Sequence, residues 1–339
     1  MSRFWFLLIL LISFIVCLLS ADESIAIFNF GFSKGISQLD THSNLLDAKS
    51  IECKSCHKEI YLDWNRSRHR SSWTNTVFQE GYRNETQSIC KNCHSPIQEL
   101  SKEGINCAVC HIRENKIITA NNLKANSHHE FIYSSQISKS EFCASCHEFN
   151  FHYIEQGQTE FSNEPMQRTY SEWKEFVDDT KSNETCQSCH MKNKSHDFAG
   201  AHDSNQLTNS IQIQVNYKDG NYLFQIQSLG VGHELPTGDL FRNITLEIKK
   251  DSEDEFKSIY KFGRTFKSIY NQTKNRMEKV LDVNTNLKPK KIQSISLKYN
   301  GNIRYRLVYH YASEQDELRG NLSNRDLYYN IVEREYSIR

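Results

Sequence analysis

Cys53-Lys-Ser-Cys56-His57 begins a pattern that returns four more times before residue 191. The other copies are Cys90-Lys-Asn-Cys93-His94, Cys107-Ala-Val-Cys110-His111, Cys143-Ala-Ser-Cys146-His147 and Cys186-Gln-Ser-Cys189-His190. Cys-x-x-Cys-His is the spacing of covalent haem attachment, in which both thiols bond to the haem and the histidine binds its iron. The pattern therefore predicts five c-type haems on these ten cysteines, with His57, His94, His111, His147 and His190 as proximal iron ligands.

Three other uses of paired cysteines compete with this interpretation, namely disulfides, zinc sites and thioredoxin-like redox sites. None of them requires a histidine directly after the second cysteine. The chain has 14 histidines among 339 residues. Five matches out of five by chance are therefore expected on the order of once in ten million. Haem attachment is the interpretation that explains why a histidine follows the second cysteine in all five motifs.

A low-spin haem needs a second axial ligand, usually His or Met, whereas a catalytic haem often leaves that position open. The chain has only 4 Met against 14 His, so histidine is the expected second ligand. The candidate distal ligands are His69, His129, His196, His202 and His233. The remaining histidines, His42, His128, His152 and His310, are expected to have ordinary or supporting roles.

The reasons for these candidates differ. His69 ends a predicted helix that begins after His57, and about 12 residues of helix span roughly 18 Å, so His69 would serve a different haem. His196 and His202 flank a glycine-containing turn just after the last motif. His233 lies in a glycine-bounded turn, where a structural histidine bonded to the backbone is an equal alternative. For the others the alternative is an ordinary surface histidine.

The N-terminus has the order of an export signal. Arg3 precedes an almost purely apolar run from Phe4 to Leu19, and the small residues Ser20 and Ala21 come before the polar chain. Residues 1–21 are therefore expected to be a signal peptide, or an uncleaved anchor, since the run is at the short limit for a membrane span. A polar lead-in over 22–50 follows. The protein is then periplasmic or otherwise extracytoplasmic, with membrane anchoring through the N-terminus as an alternative.

Two segments of different character follow. Residues 51–205 hold every haem motif, with helices expected after His57 and around Tyr170 to Val177. The gap of 12 residues between the second and third motifs suggests that their haems lie side by side. Residues 208–339 contain short alternating segments that predict strands. The expected fold is α+β multidomain: a mostly helical and loop multihaem cytochrome c domain followed by an antiparallel β-sandwich-like domain.

The balance of charges argues against a nucleic acid as the partner. The chain has 41 basic and 41 acidic side chains, whereas nucleic-acid-binding proteins normally carry a basic excess. The basic side chains are slightly in excess over residues 208–339 and the acidic ones over residues 1–207. The second part therefore suits an acidic partner, or the haem-bearing part itself.

Several of these segments resemble the multihaem cytochromes of the cytochrome c-554 class. They are Cys53-x-x-Cys56-His57 with Trp64-x-x-Ser67-x-His69, Cys90-x-x-Cys93-His94-Ser-Pro, Gly104-Ile-Asn-Cys107-x-x-Cys110-His111 and Phe142-Cys143-x-x-Cys146-His147. A second group resembles exported multihaem cytochromes with a C-terminal β domain: Tyr170-x-Glu-Trp173, Cys186-x-x-Cys189-His190-Met191, His196, His202 and Gly232-His233-x-Leu-Pro-Thr-Gly238. The resemblance implies close-packed haems, bis-histidine ligation and periplasmic electron transfer.

The sequence favours an electron carrier between a redox donor and a redox acceptor outside the cytoplasm over an enzyme. The alternative is a multihaem oxidoreductase, in which one five-coordinate iron acts on a small nitrogen, sulfur or oxygen compound. Arg68, Arg70, Tyr61 or His128 would then supply polar groups beside that iron. A third role, compatible with the first, is that the β domain docks a partner or further copies of the chain.

Overall fold

The computed structural model describes residues 49–84, 86–113, 116–121 and 131–338. The expected signal peptide, nearly all of the polar lead-in, and His128 and His129 lie outside these ranges. Within the described ranges, no helix has the length and apolar character needed to cross a membrane.

Short helices dominate the first part of the chain. They are α1 Ser50–Cys53, α2 Lys58–Arg66, α3 Thr76–Asn84, α4 Cys90–His94, α5 Cys107–His111, α6 Ser140–His147, α7 Thr169–Thr180, α8 Cys186–His190 and α9 Ser204–Asn209, with 3-10 segments at Gln98–Glu103, Ser135–Ser138 and Lys192–Lys194. The helices α4, α5, α6 and α8 each end at the histidine of an attachment motif. One helical turn places the two cysteines of a motif, three residues apart, on the same face.

The first part also contains strands that the sequence analysis did not predict. They are β1 Ile112–Arg113, β2 Lys116–Thr119, β3 Phe131–Tyr133, β4 Glu148–Glu155 and β5 Gln158–Arg168. β4 and β5 pair as an antiparallel hairpin directly after the fourth motif. Its turn, Gln156-Gly157, has positive φ at both residues, as two-residue hairpin turns often do. β5 is mostly polar and contains Pro165, so its sequence does not indicate a strand.

The second part is a β-sandwich-like unit, which confirms the predicted fold class. Its elements are β6 Ile211–Lys218, β7 Asn221–Ser228, β8 Asn243–Lys250, β9 Lys257–Phe262, β10 Arg264–Asn271, β11 Arg276–Asn284, β12 Ile292–Lys298, β13 Ile303–His310, α10 Glu314–Arg319, α11 Asn324–Leu327 and β14 Tyr328–Tyr336. One antiparallel sheet has the order β12–β7–β6 and the other β14–β13–β8–β9. Alternate residues of β7 are buried, as expected for a strand with one face on a core.

The two parts of the chain pack together at several places. Phe151 of β4 meets Phe266 of β10 edge to face, with ring centroids 5.0 Å apart. Nearby, Arg276 of β11 forms an ion pair of 2.9 Å with Glu155. At another place, Thr76 at the start of α3 donates a hydrogen bond of 2.8 Å to Asp326 of α11. The β-sandwich-like unit is therefore joined to the haem-motif region by apolar and polar contacts.

A glycine holds the turn that follows α2. The backbone N–H of Ile105 donates to the His69 carbonyl at 2.9 Å, and the Trp64 indole donates to the Ile105 carbonyl at 2.8 Å. Gly104 has φ +60°, and a Cβ there would lie 2.5 Å from both the His69 carbonyl oxygen and the Ser72 hydroxyl. Only glycine permits this close backbone approach.

We predict that Gly104→Ala destabilises the fold by about 1–3 kcal/mol, because it combines a strained backbone with a steric clash. The urea midpoint of the haem-loaded protein measures this effect. The matched control is Gly81→Ala in α3, where a Cβ meets nothing within 4 Å. It should stabilise by about 0.5–1 kcal/mol, as Ala does in a helix interior. Equal effects of the two substitutions would contradict the role given to Gly104.

Candidate functional site

Histidine rings in this protein face one another in three pairs, across gaps of nearly equal width. The ring centroids lie 6.3 Å apart for His69 and His147, 6.2 Å for His111 and His196, and 6.3 Å for His190 and His233. An imidazole nitrogen binds a metal at about 2 Å and lies roughly 1.1 Å from its ring centroid, so two axial imidazoles on one iron have centroids about 6.2 Å apart. Each gap has the width that one iron requires. The donor set therefore fits a c-type haem.

Backbone carbonyls hold the outer ring nitrogens of four of these histidines. The Nδ1 atoms of His111, His190, His196 and His233 bond to the carbonyls of Ile118 (3.1 Å), Ala199 (2.7 Å), Lys194 (2.9 Å) and Glu234 (2.8 Å). A carbonyl only accepts, so Nδ1 carries the proton and Nε2 keeps its lone pair. The amide of Gln167 lies 3.2 Å from Nδ1 of His147, and it accepts from an Nδ1–H group when its oxygen faces the ring. These contacts orient the rings as metal ligands require.

Burial keeps three of the paired rings uncharged. It lowers the pKa of His69 to about 3 and the pKa values of His147 and His233 to about 4, with neighbouring histidines contributing less. A buried imidazole resists protonation because its charged form loses hydration. At neutral pH the three rings therefore have a lone pair available for a metal.

His69 lies in the turn after α2, which ends at Arg66 instead of continuing through His69 as the sequence suggested. The turn brings His69 to His147 of the fourth motif. The Phe198 ring packs 4.2 Å from His69 and 5.9 Å from His196. One aromatic side chain thus supports two of the candidate distal histidines.

A carboxylate of α2 anchors the loop that carries His196. The Asp63 carboxylate accepts hydrogen bonds from the Ser195 hydroxyl at 2.7 Å and from the His196 N–H at 3.3 Å. Arg66 lies 2.7 Å from its other oxygen. The Ser195 hydrogen bond is the main reason that the pKa of Asp63 is lowered.

The β-sandwich-like unit supplies His233. Gly232 allows close packing of this turn on α7, since a Cβ there would lie 3.1 Å from the Phe176 ring. Leu235 and Leu287 exchange two backbone hydrogen bonds of 2.9 Å, which tie the turn to the chain between β11 and β12. The facing partner of His233 is His190 of the fifth motif. This site therefore draws on both parts of the chain.

The attachment motifs contact one another in two similar pairs. The Ser50 hydroxyl accepts the Cys107 N–H at 3.4 Å, and the Ser140 hydroxyl accepts the Cys186 N–H at 3.0 Å. The thiols of Cys53 and Cys107 lie close enough to act on each other's pKa, and so do those of Cys143 and Cys186. The third motif thus lies against the first, and the fifth against the fourth.

The sequence carries a signal for these pairs that the analysis above did not use. Ser50 and Ser140 are both almost fully buried, and each stands three residues before the first cysteine of its motif. Their partner motifs instead begin with helix caps: Asn106 accepts the Val109 N–H at 3.1 Å, and Thr185 accepts the Ser188 N–H at 3.1 Å. The Ser-x-x-Cys-x-Ser-Cys-His repeat was visible in the first and fourth motifs.

The first two proximal histidines have different surroundings. His57 is exposed on the described structure. His94 donates from Nδ1 to the Ser72 carbonyl at 3.0 Å, and Phe78 stacks on its ring with centroids 3.8 Å apart. Within the described ranges, no histidine ring is recorded facing His57 or His94 as in the three pairs above. His129, predicted as a distal ligand, lies outside the described residues.

His202, the remaining predicted distal ligand, lies between two arginines and a tyrosine. Arg68 Nη2 lies 2.5 Å from its Nδ1, and Arg242 Nη1 lies 3.4 Å from its Nε2. The Tyr311 ring stacks on it with centroids 4.2 Å apart. Because both ring nitrogens contact guanidinium groups, this geometry does not support iron ligation by His202.

The other histidines and polar residues that the sequence analysis named contact residues near them in the structure. His310 Nε2 lies 3.0 Å from the Thr245 hydroxyl in the β-sandwich-like unit, and His152 packs near Phe161 in the β4–β5 hairpin. Arg70 donates to the Lys102 carbonyl, and Tyr61 packs against Trp64. His42 and His128 lie outside the described residues.

Family models match two overlapping stretches of the chain. Residues 38–112 match cytochrome c7 and related cytochrome c, and residues 97–203 match the outer membrane cytochrome MtrC/MtrF-like model, domains II/IV. The chain resembles multihaem c-type cytochromes. This resemblance supports haem binding and electron transfer as the general activity. No curated protein matches the chain.

Solved structures support the same fold. The crystal structure of a penta-haem cytochrome c552 from Thermochromatium tepidum matches with a TM-score of 0.69 and 18% identity, over 87% of this chain and 100% of that chain. A superoxide reductase in the oxidised state also matches, with a TM-score of 0.19 and 14% identity over 39% of this chain and 88% of that one. The second score is too low to indicate a common fold. The multihaem cytochrome fold extends over most of the chain.

We predict that His69→Ala, His196→Ala and His233→Ala each convert one low-spin haem into a high-spin haem, because each removes one of two axial ligands. Low-temperature EPR of the oxidised, haem-loaded variants measures this change. His310→Gln is the matched control, since it replaces a histidine bonded to a hydroxyl. A fully low-spin spectrum in any of the three variants would contradict ligation by that residue.

We predict that Asp63→Asn makes stability less dependent on pH in the acid range. The folded-state pKa of Asp63 is lowered, so its contribution is present at neutral pH and is lost as the pH falls through that value. The substitution should lower the urea midpoint at pH 6 and matter little near pH 3. Asp178→Asn, at an exposed carboxylate on α7, is the control. The same midpoint deficit at both pH values would refute this assignment.

Proposed function

We propose that this protein is an exported c-type cytochrome that carries five haems and transfers electrons between redox proteins outside the cytoplasm. The observation that carries the proposal is the set of three facing histidine pairs, with centroids 6.2 to 6.3 Å apart. Haem supplies reversible one-electron chemistry at its iron. The chain would supply attachment, axial ligands and fixed positions.

The ten motif cysteines would attach the haems, and the five motif histidines would be the proximal ligands. His69, His196 and His233 would be the distal ligands at the fourth, third and fifth motifs. Carbonyl-bound Nδ1 atoms support this role, because they leave Nε2 of His196 and His233 with a lone pair that can bind a metal. We retain His129 as a proposed ligand without a structural argument. We leave His202 out of the set.

The contacts among motifs support electron transfer along the chain. The first motif contacts the third through Cys53 and Cys107, and the fourth contacts the fifth through Cys143 and Cys186. The second contacts the fourth through the thiols of Cys93 and Cys146. Cys110 of the third motif is close enough to interact electrostatically with Cys146. Close neighbours at every step are what a route for electrons requires.

The location and organisation of the protein follow from the same proposal. Residues 1–21 would be the export signal or anchor, 22–50 a lead-in, 51–205 the pentahaem domain and 208–339 the β domain. Covalent haem attachment and the apolar N-terminal run support a periplasmic or other extracytoplasmic location. The partners would be a redox donor and a redox acceptor. The β domain would dock a partner or a further copy of the chain.

A second candidate function is an oxidoreductase with one five-coordinate haem. The observation behind it is that neither His57 nor His94 faces another histidine ring within the described ranges. The haem at the first or the second motif would then have an open position for a small nitrogen, sulfur or oxygen compound. Three fully ligated sites would still deliver electrons to it.

The test begins with the full chain produced in a host that attaches c-type haem. Pyridine haemochrome and intact mass should give five haems per chain, and Cys53→Ala/Cys56→Ala should give four. Ser55→Ala, within the same motif, is the control and should keep five. Fewer than five haems in the wild-type protein would overturn the proposal.

Spectroscopy on the same sample separates the two functions. An electron carrier should show five reversible one-electron steps and no cyanide-sensitive turnover. A high-spin haem that binds cyanide or nitrite and turns over a small substrate would support the oxidoreductase. Trapping of the chain in the cytoplasm without haem would contradict export.

A further inference from the structure

Two arginines converge on one histidine at the junction of the two parts of the chain. Arg68 follows α2, His202 precedes α9, and Arg242 precedes β8. Arg68 Nη2 is 2.5 Å from His202 Nδ1, and Arg242 Nη1 is 3.4 Å from His202 Nε2. Tyr311 closes one side: its ring stacks on His202 and lies 5.7 Å from the Arg242 guanidinium carbon.

The two arginines cannot both donate to His202. A guanidinium only donates, and a neutral imidazole has one accepting nitrogen. If Arg68 donates to Nδ1 of His202, Nε2 carries a proton that faces the N–H groups of Arg242. Arg242 has the Tyr309 hydroxyl as another partner, whereas Arg68 is exposed. The N–H groups of Arg68 that do not contact His202 are therefore accessible to an acceptor from outside the chain.

The positive charges of the two arginines are not neutralised by a carboxylate in ion-pair contact. Among the described residues, neither Arg68 nor Arg242 has a carboxylate oxygen within ion-pair distance. Asp326 interacts with Arg68 over a longer distance, but its oxygens accept hydrogen bonds from Thr76 and Ser323. Arg242 also bonds to the hydroxyl of Tyr309, which is neutral. The charge of each guanidinium also works against the other.

The cluster borders the second haem motif. The turn that carries Arg68 continues to Ser72, whose carbonyl accepts from His94 Nδ1 at 3.0 Å. The turn that carries Arg242 begins at Asp239, which is close enough to His94 to act on its pKa. The same two turns thus lie near His94 and supply both arginines.

We propose that Arg68, His202 and Arg242 form an anion site beside the second haem motif, which binds a carboxylate or a small oxyanion. Two guanidinium groups recognise such groups through charge-assisted hydrogen bonds. The anion has two sources with the same chemistry: a propionate of the haem held by His94, or a free oxyanion from solution. The propionate source rests on the proposed function, and the free-anion source does not.

The test uses the full, haem-loaded chain and the variants Arg68→Gln, Arg242→Gln and Arg325→Gln. Arg325 is an exposed arginine on α11 and serves as the control. Haem content of every sample is measured first, so that a failure of haem loading is separated from a failure of the anion site. Sodium sulfate and sodium nitrite are then titrated at constant ionic strength against sodium chloride, with thermal midpoint and Soret absorbance as readouts.

Two results support the proposal and identify the source. If a free anion binds, the wild type shows a saturable shift with sulfate or nitrite, and either site substitution weakens it by about tenfold or more. If a propionate fills the site, no free anion binds, and either substitution lowers one midpoint potential while the others stay in place. Removal of a nearby positive charge favours the oxidised haem, which gives the direction. Arg325→Gln should change neither readout.

Two results overturn it. One is that haem-loaded Arg68→Gln and Arg242→Gln match the wild type in both anion titration and all midpoint potentials. The other comes from His202→Ala. Loss of one low-spin EPR signal in that variant would show that His202 binds iron and that the arginines do not share an anion with it.

Discussion

The facing pairs of histidines are the constraint on which this structure depends. Each pair is about as wide as two metal–nitrogen bonds plus two half-rings, and each joins segments that are distant in sequence. His69 meets His147, and His190 meets His233. The apolar core of the haem-motif region is small, with buried clusters such as the one around Val109, whereas the β-sandwich-like unit has a large one. On the proposed function, axial ligation and covalent haem attachment would supply much of the stabilisation that an apolar core supplies elsewhere.

The second ordering element is the pairing of motifs through buried serines. Ser50 and Ser140 each satisfy the first backbone N–H of a partner motif, where a helix of five residues has no internal acceptor for it. The partner motifs carry their own caps, Asn106 and Thr185, for the following turn. Two copies of one local arrangement thus bring four of the five motifs into two compact pairs.

The sequence predicts the local features of this protein better than the distant contacts. The Cys-x-x-Cys-His spacing reflects one helical turn, so the motifs and their helices could be read directly. The alternation from Ile211 onward likewise predicted strands, and the sandwich followed. The sequence could not predict which histidines His69, His196 and His233 face. The length of a loop limits the distance between its two ends, but it does not determine the direction in which the chain turns. The same reason explains why His202 looked like its neighbour His196.

The β-sandwich-like unit contributes side chains to the candidate site. It provides His233 to the fifth motif, and it provides Arg242 and Tyr311 to the cluster beside the second motif. Both contributions come from turns at the ends of strands, where a sheet can hold functional side chains without disturbing its own core. A change that shifts the packing of this unit on the haem-motif region would therefore move His233 relative to His190 and Arg242 relative to His202 at once. On the proposed function, the interface between the two parts would couple the packing of the β-sandwich-like unit to the redox properties of the haems.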